Sequence, residues 1–288
     1  MKKPLFTGVC TALVTPFRAG RVDEAALRRL VQRQIAAGVP ALCACGTTGE
    51  ASTLGDAEWE QTLRCVMEAA EGRAVIVAGT GANDLRHTLE RAKRAAVLGA
   101  QAQLVVTPYY NKTTQNGLIA YYTRLASYVA LPMILYNVPG RTGLNMLPDT
   151  AAQLASHPGV IGLKEASGNL NQMAELLRHC ELPIYCGSDE INAPALRLGA
   201  VGVISVVSNL FPEKMIRLCA AASGEADRIQ QSLQPLIRAL FSETSPAPVK
   251  AALSLMGLCS PDVRLPLVQV QPETLERLRS LLPQEAMA

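Results

Sequence analysis

Eight short apolar runs, each followed by a longer helical pattern, constrain this chain more than any other feature. The runs read as strands over Thr7–Val14, Ala41–Cys45, Val75–Ala78, Gln103–Thr107, Met133–Tyr136, Val160–Lys164, Ile184–Cys186 and Val201–Val206. They are mostly continuous rather than alternating, as strands buried on both faces are. Helical periodicity is expected over Asp23–Ala37, Asp56–Ala70, Asn83–Leu98, Asn116–Val129 and Asn169–Cys180. Each opens on Asp or Asn, a side chain suited to an N-cap. Strands alternating with helices pair in parallel through right-handed crossovers. Eight units within roughly 225 residues fit a (β/α)8 TIM barrel of the α/β class better than an open doubly wound sheet.

Three more helical patterns follow, over Glu225–Phe241, Pro248–Met256 and Pro272–Leu282. The expected organisation is a barrel over 1–224 and a C-terminal helical extension over 225–288. Apolar residues make up 49% of the 288 and charged residues 18%, ample for a core and unlike a disordered chain. The net charge of +3 is too small and scattered for a nucleic-acid partner. No apolar run reaches the eighteen or so residues of a membrane span. Met1-Lys2-Lys3-Pro4 leads into Leu5-Phe6-Thr7-Gly8-Val9, which lacks the apolar core of a signal peptide, so the expected location is cytoplasmic. Most cysteines (Cys10, Cys43, Cys45, Cys65, Cys186, Cys219, Cys259) sit in apolar segments, where a free thiol acts as a small hydrophobe. His87, His157 and His179 are isolated and there is no Cys-x-x-Cys, so no metal is expected.

Chemistry in such a barrel gathers where the strands end. After the second strand comes Gly46-Thr47-Thr48-Gly49-Glu50, either a tight turn or a loop whose amides and hydroxyls converge on an anion. Thr107-Pro108-Tyr109-Tyr110 follows the fourth strand, and Tyr136-Asn137-Val138-Pro139-Gly140-Arg141-Thr142-Gly143 the fifth. A tyrosine hydroxyl there can relay protons and an arginine fork can hold a carboxylate. The plainer alternatives are rim aromatics and a solvated arginine. Lys164 ends the sixth strand and is the only lysine read within a buried strand. Burial disfavours an ammonium and leaves a neutral amine, which condenses with a carbonyl to a Schiff base. A lysine pointing into solvent is the alternative. Gly79-Thr80-Gly81-Ala82-Asn83-Asp84 has the context of a dinucleotide loop, yet Asp84 stands where the third glycine belongs. It reads as a capped helix start. No Gly-x-Ser-x-Gly supports serine catalysis.

These motifs, in this order, resemble the dihydrodipicolinate synthase family of pyruvate-dependent aldolases, relatives of N-acetylneuraminate lyase. The likeness runs through Gly46–Glu50, Ala78–Asn83, Val106–Asn111, Leu135–Gly143, Gly162–Asn169 and Gly202–Val206, then Pro246–Lys250 and Leu265–Leu267. It implies that Lys164 forms an imine with pyruvate, with no other cofactor. Tyr136 would relay protons with Thr47 and with Tyr110 from a neighbouring subunit of a homotetramer, a dimer of dimers. Thr48 would hold the pyruvate carboxylate, and Arg141 the carboxylate of the second substrate, L-aspartate 4-semialdehyde. Gly187 and Ile204 would supply backbone contacts around the imine. The product would belong to lysine and diaminopimelate synthesis. Arg141 separates this reading from a sugar-acid aldolase such as N-acetylneuraminate lyase or a 2-keto-3-deoxy sugar acid aldolase. A non-catalytic binding barrel is a third alternative.

The likeness also implies a lysine effector cavity at a subunit interface, with equivalents Ala51, Ser52, Asp56, Trp59, Asn83, His87 and Tyr109. A glutamate expected in that set is replaced here by His87, which when protonated repels an ammonium. Weak or absent inhibition by lysine is the expectation. Trp59 reads otherwise as an ordinary helix-surface aromatic.

Overall fold

Eight parallel strands close on themselves in the computed structural model, which describes residues 2–287. They are β1 (Gly8–Ala12), β2 (Ala41–Ala44), β3 (Val75–Gly79), β4 (Ala102–Val106), β5 (Met133–Asn137), β6 (Val160–Glu165), β7 (Ile184–Cys186) and β8 (Gly202–Ser205). Each pairs with its successor, and β8 returns to β1 with Gly8 opposite Gly202. Eight helices separate or follow them: α1 (Glu24–Ala37), α2 (Asp56–Ala70), α3 (Leu85–Val97), α4 (Gln115–Tyr128), α5 (Pro148–Ala155), α6 (Leu170–His179), α7 (Asn192–Leu198) and α8 (Pro212–Ala220). The C-terminal helices are α9 (Ser223–Leu240), α10 (Ala247–Leu255) and α11 (Pro272–Leu281). The (β/α)8 barrel expected from the apolar runs is the fold.

The helix starts needed correction. Asp23 and Asn169 cap α1 and α6 as expected, accepting from Ala26 N and from Asn171 N and Gln172 N. Helix α3 is capped by Asp84, which accepts from His87 N, and not by Asn83. Thr114, not Asn116, caps α4 by accepting from Gly117 N. Asp56 is the first residue of α2, preceded by Gly55, whose amide donates to Glu58. The reason is reach: a capping oxygen must meet an amide two or three residues ahead, and only these registers do so.

Two apolar layers result. Cys10, Cys43, Leu104, Ile134, Tyr185 and Ile204 fill the barrel interior, and a larger layer lies between strands and helices. Phe6 stacks on Tyr185 at 4.4 Å, and the Tyr185 hydroxyl donates to Phe6 O at 3.1 Å. That pair plugs the N-terminal end of the barrel and leaves the opposite mouth for chemistry. All eight cysteines are free. Burial pushes the Cys43 thiol up to about 11, which keeps it protonated and inert. Among the described residues, no helix is long and apolar enough to cross a membrane.

Candidate active site

Tyr136 on β5 and Lys164 on β6 are direct partners in the parallel ladder, so their side chains leave the sheet together. The Lys164 amine lies 4.3 Å from the centre of the Tyr136 ring, and the lysine is only 6% exposed. Lys164 makes no ion pair among the described residues. A buried amine with an aromatic face beside it, and no carboxylate bound to it, is placed to act on a carbonyl carbon.

The glycine after β7 leaves room for this amine. A Cβ on Gly187 would stand 2.7 Å from Lys164 Cε and 2.8 Å from Ala166 Cβ. Its amide meanwhile donates to Glu165 O at 2.8 Å, which ties the end of β7 to the end of β6. Glu165 is itself buried and fully engaged. It accepts from Asn137 Nδ2 at 2.9 Å, Gln172 Nε2 at 3.1 Å and the Ser167 amide at 2.7 Å. Three donors on one carboxylate hold the strand end that carries Lys164.

A cavity of about 250 Å³ opens at this mouth, and its walls include Thr47, Thr48, Tyr136, Arg141, Lys164 and Gly187. Six of the expected residues thus meet in one place. Arg141 rides on a helical turn, Pro139–Thr142, and donates to Ser245 O at 3.2 Å while staying exposed. Ile204 is not on the cavity wall; it is buried inside the barrel, and Val206 two residues on lines the cavity instead. Tyr110 is also absent from it, being 89% exposed with a left-handed φ of 69°. No hydrogen bond joins the hydroxyls of Thr47, Tyr136 and Tyr110 among the described residues.

The threonine loop is braced from far away. Glu50, at φ 53°, accepts from Lys250 Nζ at 2.7 Å and from the Arg264 amide at 3.0 Å. Lys250 also donates to Thr15 O at 2.9 Å, while the Thr15 hydroxyl donates to Gly49 O at 2.7 Å. Lys250 is completely buried, so Lys164 is not the only lysine out of water. The motifs Gly46–Glu50 and Pro246–Lys250 do not by themselves assign this task to either residue. One signal was there: Lys250 is the sole charge in α10, Ala-Pro-Val-Lys-Ala-Ala-Leu-Ser-Leu.

The expected effector residues scatter. Ala51, Ser52 and Tyr109 line a second cavity, whereas Asp56, Trp59, Asn83 and His87 do not. Trp59 is not a surface aromatic: it is fully buried, with Nε1 donating to Gly79 O at 3.0 Å. Asp56 Oδ1 stands 3.8 Å from His87 Nε2, and Asn83 is half-buried at the rim. Gly81 explains the other glycine motif, since a Cβ there would lie 2.5 Å from Val106 N. That loop is a close strand-to-strand packing, followed by the Asp84 cap.

Comparison with known proteins agrees with this geometry. The model of the Dihydrodipicolinate synthetase family matches residues 5–285. A 4-hydroxy-tetrahydrodipicolinate synthase from Geobacter metallireducens is 45% identical over 284 residues, covering 96% of this chain and 98% of that one. The crystal structure of dihydrodipicolinate synthase from Thermotoga maritima superposes with a TM-score of 0.95 at 41% identity, covering 98% and 99% of the two chains. The enzyme from Cyanidioschyzon merolae, solved with lysine bound, gives a TM-score of 0.93 at 38% identity, covering 97% and 98%. A family match over nearly the whole length, on a barrel that brings Lys164, Tyr136 and the Thr47–Thr48 loop to one cavity, makes this chain a member of the dihydrodipicolinate synthetase family.

Proposed function

We propose that this chain is a 4-hydroxy-tetrahydrodipicolinate synthase, a lyase that condenses pyruvate with L-aspartate 4-semialdehyde through an imine on Lys164. The observation that carries the reading is the buried amine of Lys164, free of any carboxylate and in register with Tyr136. The amine adds to the pyruvate ketone carbon, and loss of water gives the imine. Loss of a methyl proton makes the enamine, whose carbon attacks the aldehyde. The amine of the second substrate then displaces Lys164 and closes the ring. Tyr136 moves protons in these steps together with Thr47, and Thr48 meets the pyruvate carboxylate. Gly187 and the backbone near Ile204 border the imine. The product serves lysine and diaminopimelate synthesis, a cytoplasmic task.

Tyr110 enters this reading from a second copy of the chain. Its exposure and its left-handed backbone support that role, because a tyrosine holds such a φ only when its surroundings fix it. The assembly is proposed as a dimer of dimers, with the helices of 225–288 extending the barrel of 1–224. Sedimentation of the active enzyme checks this, and a monomer at full activity overturns it.

The test of the activity is condensation of pyruvate with aspartate semialdehyde, coupled to a reductase that consumes the product, with N-acetylneuraminate cleavage alongside. Turnover of the first pair alone is expected. Cleavage of the sugar acid alone would move the chain to the aldolase branch. Arg141→Ala should raise the KM for the aldehyde by about tenfold to a hundredfold, the worth of a charge-assisted fork. Capture of pyruvate should be unaffected, and unchanged aldehyde kinetics would remove Arg141 from the site.

L-lysine is expected to inhibit weakly or not at all. Trp59 is sealed in the core, and Asp56 faces His87 and Arg91, so the wall offers an ammonium little that is free. A rate titration with L-lysine decides it; submillimolar half-inhibition overturns the reading.

A further inference from the structure

Four charged side chains line the cavity that holds Lys164, and they differ in what already engages them. Lys164 is the amine that takes the ketone. Asp189 is 2% exposed and its carboxylate is spent. Its Oδ2 accepts from Val206 N at 2.8 Å and Val207 N at 3.1 Å, and its Oδ1 from Asn192 Nδ2 at 3.0 Å. Arg141 gives one N–H to Ser245 O and forms no ion pair among the described residues. Glu190 is the fourth. It is exposed, and among the described residues its carboxylate has neither an ion pair nor a hydrogen bond. Its backbone is nonetheless fixed. The turn Asp189–Ile191 follows β7, and Gln234 Nε2 donates to Glu190 O at 2.8 Å while Gln230 Nε2 donates to Asp189 O at 2.9 Å. Both glutamines belong to α9, so the C-terminal helices hold this wall of the cavity in place.

We propose that Glu190 receives the ammonium of the second substrate and so selects an α-amino aldehyde over the same aldehyde without its amine. The proposal rests on the synthase reading above, with Arg141 on the carboxylate. Once Lys164 has taken pyruvate, the free charges on the wall are one cation and one anion, Arg141 and Glu190. A molecule that satisfies both carries a carboxylate and an ammonium beside its reacting carbon, which is an amino-acid head. A polyhydroxylated sugar acid brings no cation for Glu190. Asp189 cannot take its place, since turning that carboxylate to a ligand would strip the Val206 and Val207 amides of their buried acceptor. Water competes for a charge as exposed as Glu190, so its contribution is discrimination more than tight binding.

Succinic semialdehyde isolates the amine, because it keeps the carboxylate and the aldehyde and lacks only the amino group. It cannot close the ring, so it is read as an inhibitor competing with aspartate semialdehyde at saturating pyruvate. Glu190→Gln is expected to raise the KM for aspartate semialdehyde about fivefold to tenfold, the worth of one partly solvated charge-assisted hydrogen bond, with a much smaller change in kcat. The Ki of succinic semialdehyde should be the same in Glu190→Gln as in wild type, whereas Arg141→Ala should raise it. Glu190→Asp keeps the charge and should recover part of the loss. A KM unchanged in Glu190→Gln removes Glu190 from recognition and leaves the synthase reading standing. An equal rise in KM and Ki shows a general disturbance of the cavity, and that too overturns the ammonium contact. Failure of the wild-type protein to condense the two substrates is a separate result, which removes the synthase reading and the role of Glu190 with it.

Discussion

Replacing Lys164 with Ala is expected to abolish covalent capture of pyruvate by borohydride and to lower kcat by on the order of a thousandfold or more. The expectation comes from what surrounds the two buried lysines. Lys164 is 6% exposed, faces the Tyr136 ring at 4.3 Å and lines the cavity at the barrel mouth. Lys250 is more deeply buried, but its amine is taken up by Glu50 and Thr15 O and lines neither cavity at that mouth. A nucleophile needs an amine left open by its neighbours and a path to substrate, and of these two lysines only Lys164 has both. Peptide mapping of the reduced adduct should therefore find it on Lys164 alone. Lys164→Arg keeps the positive charge and cannot deprotonate, so it should fail as completely as Lys164→Ala. An adduct on Lys250, or trapping that survives in Lys164→Ala, would overturn the assignment.

The barrel was legible because each strand is buried on both faces and so reads as an unbroken apolar run. Strand ends were less so. Asn137 and Glu165 lie within β5 and β6, but they look like loop residues because a network with Gln172 and Ser167, not apolarity, buries them. Six residues of the candidate site were readable since each sits at or just past the C-terminal end of a strand, where polar residues interrupt apolar sequence. Trp59 reads as a surface aromatic because nothing local shows that the core covers it and that the carbonyl of Gly79, on a strand packed against α2, takes its indole N–H. Glu190 escapes notice for a similar reason. Its place just past β7 follows from the sequence, but only the assembled cavity shows that Asp189 beside it is spent on the Val206 and Val207 amides. Long-range polar pairing is where the reading from sequence ends.

Glu50 and Lys250 stand 200 positions apart and carry the last prediction: Lys250→Met should cost about 3–5 kcal/mol of stability, and the double variant Lys250→Met/Glu50→Gln much less. Burial holds the Lys250 ammonium below its ordinary value even with Glu50 beside it, so desolvation outweighs the attraction. A buried ion pair adds little net stability over an apolar pair of similar size, yet losing one member leaves the other buried without its partner. On heating, the single variant should melt on the order of 10 °C lower. Equal losses in the single and double variants would show that the two side chains act independently. The damage should also reach chemistry, because Glu50 closes the Gly46–Glu50 loop and the Arg264 amide and Lys250 fix it from the C-terminal side. Thr48 sits in that loop, so the KM for pyruvate should rise in Lys250→Met while borohydride still traps the adduct that forms. A KM left at its wild-type value would confine the pair to stability, and the helices after the barrel would have no part in positioning the site.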